Sequence, residues 1–99
     1  MNPKISEEIV NSLSGILSKQ RVEARCKGFT GNFKVQVPIS NLYDGVLNRL
    51  NNLRSLGVDY GDCCIEDLIT YLNPLGITVC NGEMNLTVEV PPARNAHAR

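Results

Sequence analysis

Ile77-Thr78-Val79-Cys80-Asn81-Gly82-Glu83-Met84-Asn85-Leu86-Thr87-Val88-Glu89-Val90 decides the fold class. Asn81-Gly82 is the residue pair that a type I′ turn prefers, because both central positions need a positive φ. With that turn, Cys80 opposes Glu83, Val79 opposes Met84 and Ile77 opposes Leu86. These pairs put apolar side chains on one face of both strands, and Val88 and Val90 continue that face beyond them. Turn chemistry and side-chain alternation therefore agree on one register, as a true hairpin requires. Pro91-Pro92 ends the second strand, since proline gives a ladder no N–H.

Working outward, residues 21–27 also alternate. Val22, Ala24 and Cys26 fall on one side; Arg21, Glu23, Arg25 and Lys27 fall on the other. Residues 33–39 repeat the pattern with Phe33, Val35, Val37 and Ile39 inward. Gly28-Phe29-Thr30-Gly31-Asn32 supplies turn residues between the two runs, so a first hairpin with a mainly basic outer face is expected. Three segments read as helices. Residues 2–19 carry Ile5, Ile9, Leu13, Ile16 and Leu17 as one apolar stripe, with Asn2 as cap and Pro3 in the first turn. Residues 41–56 follow Ser40 as N-cap and end at Gly57, with Val58 placed to touch Leu53. Residues 63–72 follow Asp62 as cap and stop at Asn73-Pro74.

The expected fold is α+β in the order α-β-β-α-α-β-β: a four-stranded, mostly antiparallel sheet of two hairpins, with helices packed on one face. Residues 1–92 form one domain, and 93–99 read as a flexible C-terminal tail.

The chain has 99 residues and a formal net charge of zero. A balanced charge argues against the basic footprint of a dedicated nucleic-acid binder. The charges are uneven along the chain, however. Residues 1–34 hold Lys4, Lys19, Arg21, Arg25, Lys27 and Lys34 against Glu7, Glu8 and Glu23; residues 35–72 hold Arg49 and Arg54 against Asp44, Asp59, Asp62, Glu66 and Asp67. No leader or membrane span is read, and a cytoplasmic protein with free thiols is expected.

No catalytic or metal-binding constellation emerges. Cys26, Cys63, Cys64 and Cys80 lack the two-residue spacer of a zinc ribbon. Cys63 and Cys64 open the third helix, where the dipole lowers a thiol pKa. Yet the single His, His97, lies in the tail, and a nucleophile without a base is packing. Asp59, Asp62, Glu66 and Asp67 match no calcium-loop spacing and read as capping and a solvated face. Gly28-Phe29-Thr30-Gly31 resembles the Gly-x-x-Gly clamp of a KH domain, and the element order, up to the first strand of the second hairpin, resembles the type II form of that family. There the clamp joins two helices; here the corresponding link, Gly57-Val58-Asp59-Tyr60-Gly61, carries Asp where a clamp takes basic residues. No family is assigned on that topology.

What remains is a non-enzymatic, protein-binding domain without cofactors that acts by occupying a partner's surface. Candidate contact residues are Arg21, Arg25, Lys27 and Lys34 on the first hairpin, Phe29 at its tip and Tyr60 in a linker. A packed ring under its own loop is the competing account of either aromatic. A small phage or mobile-element inhibitor of a host defence complex, in the manner of anti-CRISPR proteins, is one setting for such a chain. A nucleic-acid-binding module using the basic first hairpin is the alternative.

Overall fold

The structure is a computed structural model that describes residues 3–92. Its elements are α1 (Pro3–Cys26), β1 (Gly31–Pro38), α2 (Ile39–Ser55), α3 (Ile65–Leu72), a 3-10 turn (Asn73–Leu75), β2 (Thr78–Cys80) and β3 (Glu83–Val90). The strands form one antiparallel sheet in the order β1-β3-β2. The class is α+β, as expected. Asn2 and the 93–99 tail lie outside the described residues.

The hairpin at Asn81-Gly82 has the register the sequence specifies, with Cys80 opposite Glu83 and Val79 opposite Met84. Asn81 and Gly82 have φ of 53° and 77°, both positive, as a type I′ turn requires. Pairing stops one rung early, at Thr78 opposite Asn85, so Ile77 and Leu86 do not extend the ladder.

The first hairpin does not form. Residues 21–26 continue α1, and β1 pairs with β3, from Gly31 opposite Val90 to Pro38 opposite Glu83. Among the described residues the expected four strands are three, and the order becomes α-β-α-α-β-β. The likeness to the type II element order, which needs two strands between α1 and α2, falls with it. The cause is composition and packing. Lys19, Gln20, Arg21, Glu23, Ala24 and Arg25 are strong helix formers, and only Val22 and Cys26 favour a strand. Ala24 lies seven residues beyond Leu17 and extends the apolar stripe of α1. It is buried against Val88 and Val90, while Val22, assigned inward by the alternation, is 57% exposed.

All three helices end in the same device. Phe29 N–H donates to Ala24 O and Gly28 N–H to Arg25 O; Val58 N–H donates to Leu53 O and Gly57 N–H to Arg54 O; Ile77 N–H donates to Leu72 O and Gly76 N–H to Asn73 O. Each is a Schellman ending, including the one foreseen at Gly57, and each glycine has a positive φ of 78–86°.

Helix starts differ from expectation. α2 begins at Ile39, directly after the strand, and Ser40 is not its cap. Ile39 N–H donates to Gly82 O, so the hairpin turn satisfies the first orphan donor and no side-chain cap is needed. α3 begins at Ile65 with Cys64, rather than Asp62, as N-cap. Cys64 N–H donates to Asp67 Oδ2 at 3.1 Å, closing a capping box.

The core lies between the sheet and the helices. Ile5, Ile9 and Leu13 of α1, Leu42, Val46 and Leu50 of α2, and Leu68 and Leu72 of α3 meet Val37, Met84 and Leu86 of the sheet. The opposite sheet face is polar. Gln36 Nε2 donates to Asn85 Oδ1 (3.2 Å) and Asn85 Nδ2 to Thr78 Oγ1 (3.1 Å), a side-chain ladder across all three strands.

Candidate functional site

The C-terminal end of α1 gathers part of the expected surface. Arg21 and Arg25 are four residues apart and share a helix face. A cation in the last turn also meets the negative end of the helix dipole. Gly28 then turns the chain through the left-handed region, which puts Phe29 immediately beyond the helix. In a Schellman ending this residue packs on the one five positions earlier. That residue is Ala24, small and already under β3, so the ring of Phe29 turns instead toward Phe33. The ring centroids are 6.4 Å apart at an interplanar angle of 59°. Phe29 remains 56% exposed.

The ring forms a ridge between two shallow grooves of about 220 Å³ each. One is bounded by Arg25, Gly28, Thr30 and Pro91. The other runs over Lys27, Gln20, Glu23 and Phe33. Arg25, Lys27 and Phe29 are thus brought together. Arg21 stands beside them, with Nε donating to Glu89 O at 3.1 Å. Lys34 does not join them. Phe33 and Val35 on β1 pack toward the helices, so Lys34, between them, belongs to the polar sheet face.

Tyr60 is the clear departure from expectation, because it is 3% exposed and part of the core. The packed-ring account is the one realised. Burial, then the carboxylates of Glu8 and Glu7, push its hydroxyl pKa above the ordinary tyrosine range. Its loop is held from α2, where Tyr43 Oη donates to Cys63 O (3.1 Å) and Arg54 Nη2 to Gly61 O (2.6 Å). Asp59 Oδ1 accepts from Gly61 N–H (3.1 Å), an Asx turn that gives this acidic residue a structural task.

Cys63 and Cys64 both have raised pKa values, the opposite of what an activated thiol needs. Cys63 is buried, and its pKa is raised by desolvation first, then by Asp67 and Cys64. At Cys64 the main-chain N–H of Asp67 favours the thiolate. The Asp67 carboxylate 3.3 Å from Sγ, desolvation and Glu66 together outweigh it, and the pKa is raised. The helix dipole thus loses to the capping carboxylate. His97 lies outside the described residues. Among the described residues no three His, Cys, Asp or Glu side chains converge as metal ligands, and no helix is long and apolar enough to cross a membrane.

Two features went unread in the sequence. Glu8 is buried on α1, with Oε2 3.5 Å from Arg49 Nη1 of α2. Ser12, one turn on, faces Gly45, where a Cβ would come within 3.5 Å of Ser12 Oγ. The signal was present: Glu8 and Ser12 fall inside the apolar stripe between Ile5, Ile9 and Leu13. The second feature is the edge of β3 beside Arg21 that no strand among the described residues covers, and no single residue type announces it.

The chain matches no protein-family model, and comparison with curated proteins and with solved structures finds no similar protein.

Proposed function

We propose that this chain is a non-enzymatic protein-binding domain of the cytosol that engages an acidic partner surface through the Phe29 ridge. The observation that carries this reading is a large aromatic side chain, more than half exposed, fixed between Arg25 and Lys27 at a rigid helix end. A solvated Phe at such a position contributes little to this fold and is the residue type that anchors interfaces when a partner covers it. The flanking cations steer association and set specificity more than they add affinity. Arg21 and Lys34 lie outside the ridge, and Tyr60 belongs to the scaffold.

The test compares wild type with Phe29→Ala and with Arg25→Glu/Lys27→Glu as baits in lysate of the native host. One protein held in stoichiometric amount by wild type, and reduced at least tenfold by both variants at unchanged melting temperature, is the expected result. An identical set of captured proteins on all three baits overturns the reading. The same basic-aromatic cluster also has the chemistry to stack a base beside a phosphate, which makes single-stranded nucleic acid the second reading. Copurifying nucleic acid, bound with a steep loss of affinity as salt rises, would favour it.

A further inference from the structure

β3 is the middle strand of the sheet, yet only part of it has two neighbours. The β2–β3 register pairs Thr78 with Asn85, and the next bonded rung would join Gly76 to Thr87. That rung is pre-empted, because Gly76 N–H donates to Asn73 O at 3.0 Å and closes the 3-10 turn. Residues 86–90 therefore have β1 on one side and no strand on the other, among the described residues. The alternation of an antiparallel ladder says which groups are left. Ile39 N–H on the β1 side donates to Gly82 O, so even-numbered positions face β1 and odd-numbered ones face the other edge. Thr87 N–H, Thr87 O and Glu89 N–H point to the open edge. Glu89 O points there too, and Arg21 Nε caps it.

At the β2 end of this edge lies an apolar groove of about 220 Å³, lined by Leu17, Ile77, Leu86 and Leu75, which is 53% exposed. At the other end stand Arg21 and, beyond it beside Pro91, Arg25. We infer that the Leu86–Val90 edge is a strand-addition site for an extended, acidic segment of a partner protein, lying antiparallel to β3. The partner residue opposite Thr87 exchanges two main-chain hydrogen bonds with it, and Glu89 N–H donates to the residue two positions earlier. Ile77 holds the position opposite Leu86, so pairing ends at Thr87, and the partner's next side chain turns to the helix side and fills the apolar groove beside Ile77. Partner residues opposite Val88 and Val90 face the same side and meet the arginines, so carboxylates belong there. A second copy of this chain fits less well, because antiparallel self-pairing over residues 86–90 brings two Arg21 guanidiniums together. Until the partner arrives, Arg21 guards the edge, one of the ways in which proteins blunt an exposed strand.

This site shares Arg25 with the Phe29 ridge, and its test is independent because it reads main-chain pairing at Thr87 and Glu89. The probe is the peptide acetyl-Thr-Glu-Thr-Glu-Thr-Leu-amide, titrated into the isotope-labelled full chain and followed by NMR. The Thr87 and Glu89 amide resonances are expected to shift and their hydrogen exchange to slow. Methylating the main-chain nitrogen of the Thr before Leu should abolish the effect, and Arg21→Glu should weaken binding about fivefold, the scale of an exposed ion pair. Phe29→Ala should leave it unchanged. Unshifted Thr87 and Glu89 amides at millimolar peptide, an equal response to the methylated peptide, or equal binding of a peptide with Lys for Glu would each overturn the proposal. Protection of the same amides with rising protein concentration alone, together with a dimer in sedimentation, would overturn it in favour of a second copy.

Discussion

Asp67 does two jobs with one oxygen. Oδ2 accepts the Cys64 N–H and lies 3.3 Å from Cys64 Sγ. Hydrogen bonds from the Cys64 main chain and then its thiol hold the Asp67 carboxyl below the usual aspartate range. A carboxylate whose folded pKa is lowered stabilises the fold above its unfolded pKa, and that contribution disappears as pH falls through the folded value. Acid melting should therefore be less steep in Asp67→Asn between the ordinary aspartate value and the lower folded one. Superimposable profiles for variant and wild type would remove Asp67 from the account. Burial first, and Asp67 second, act against reactivity at Cys63. Its buried thiol with a raised pKa should react with iodoacetamide near pH 7 well behind the unfolded chain. The notion of an activated thiol rested on the helix N-terminus alone. What decides the matter is which carboxylate caps that terminus, and Asp67 sits at the capping-box spacing in plain view.

Among the elements, α1 shows why alternation misled. Val22, Ala24 and Cys26 suit a strand by period two, but a strand there would strand Ala24 as a weak core residue. As a helix, the segment lets α1 lie close over Val88 and Val90 because Ala24 is small. The two readings make opposite predictions. Ala24→Leu should cost about 1–3 kcal/mol by overpacking the helix against β3. Val22→Ala should be neutral or slightly stabilising, since Val22 is exposed and Ala is the better helix former. Urea denaturation measures both, and a large loss from Val22→Ala would restore the strand. The same helix holds an unneeded glycine. Nothing approaches within 4 Å of a Cβ built on Gly15, so Gly15→Ala should add about 0.5–1 kcal/mol. Gly28→Ala should lower stability, because Gly28 has a φ of 80°. The end of α1 was legible after all. Ala24-Arg25-Cys26-Lys27-Gly28-Phe29 has the pattern of Leu53-Arg54-Ser55-Leu56-Gly57-Val58, the ending read without difficulty for α2. The small Ala24 in place of Leu53 hid it.

At the scale of the whole molecule, β3 organises the fold, and its length held the clue to its neighbours. A hairpin with three strand residues before the turn and eight after it leaves Val88 and Val90 without partners in β2. Something else had to cover them, and β1 and α1 do. Turn chemistry is local, so the Asn81-Gly82 register could be read from the sequence. The pairing of β1 with β3 spans about fifty residues, and no local propensity encodes it. Part of the candidate site has the same origin. Phe29 and its cations were legible as residue types, but the separation of Lys34 from them, the burial of Tyr60 and the open edge all depend on tertiary arrangement. That arrangement has a direct signature in native-state hydrogen exchange. Met84, Leu86 and Val88 amides face β1 and should exchange slowly; Glu83 and Asn85 face β2 and should also be protected. Thr87 and Glu89 amides face the open edge and should exchange faster than their even-numbered neighbours, although all lie on one strand. Equal protection along β3 would mean that another segment completes the sheet, and Arg21 would then be a buttress to that segment rather than the guard of a free edge.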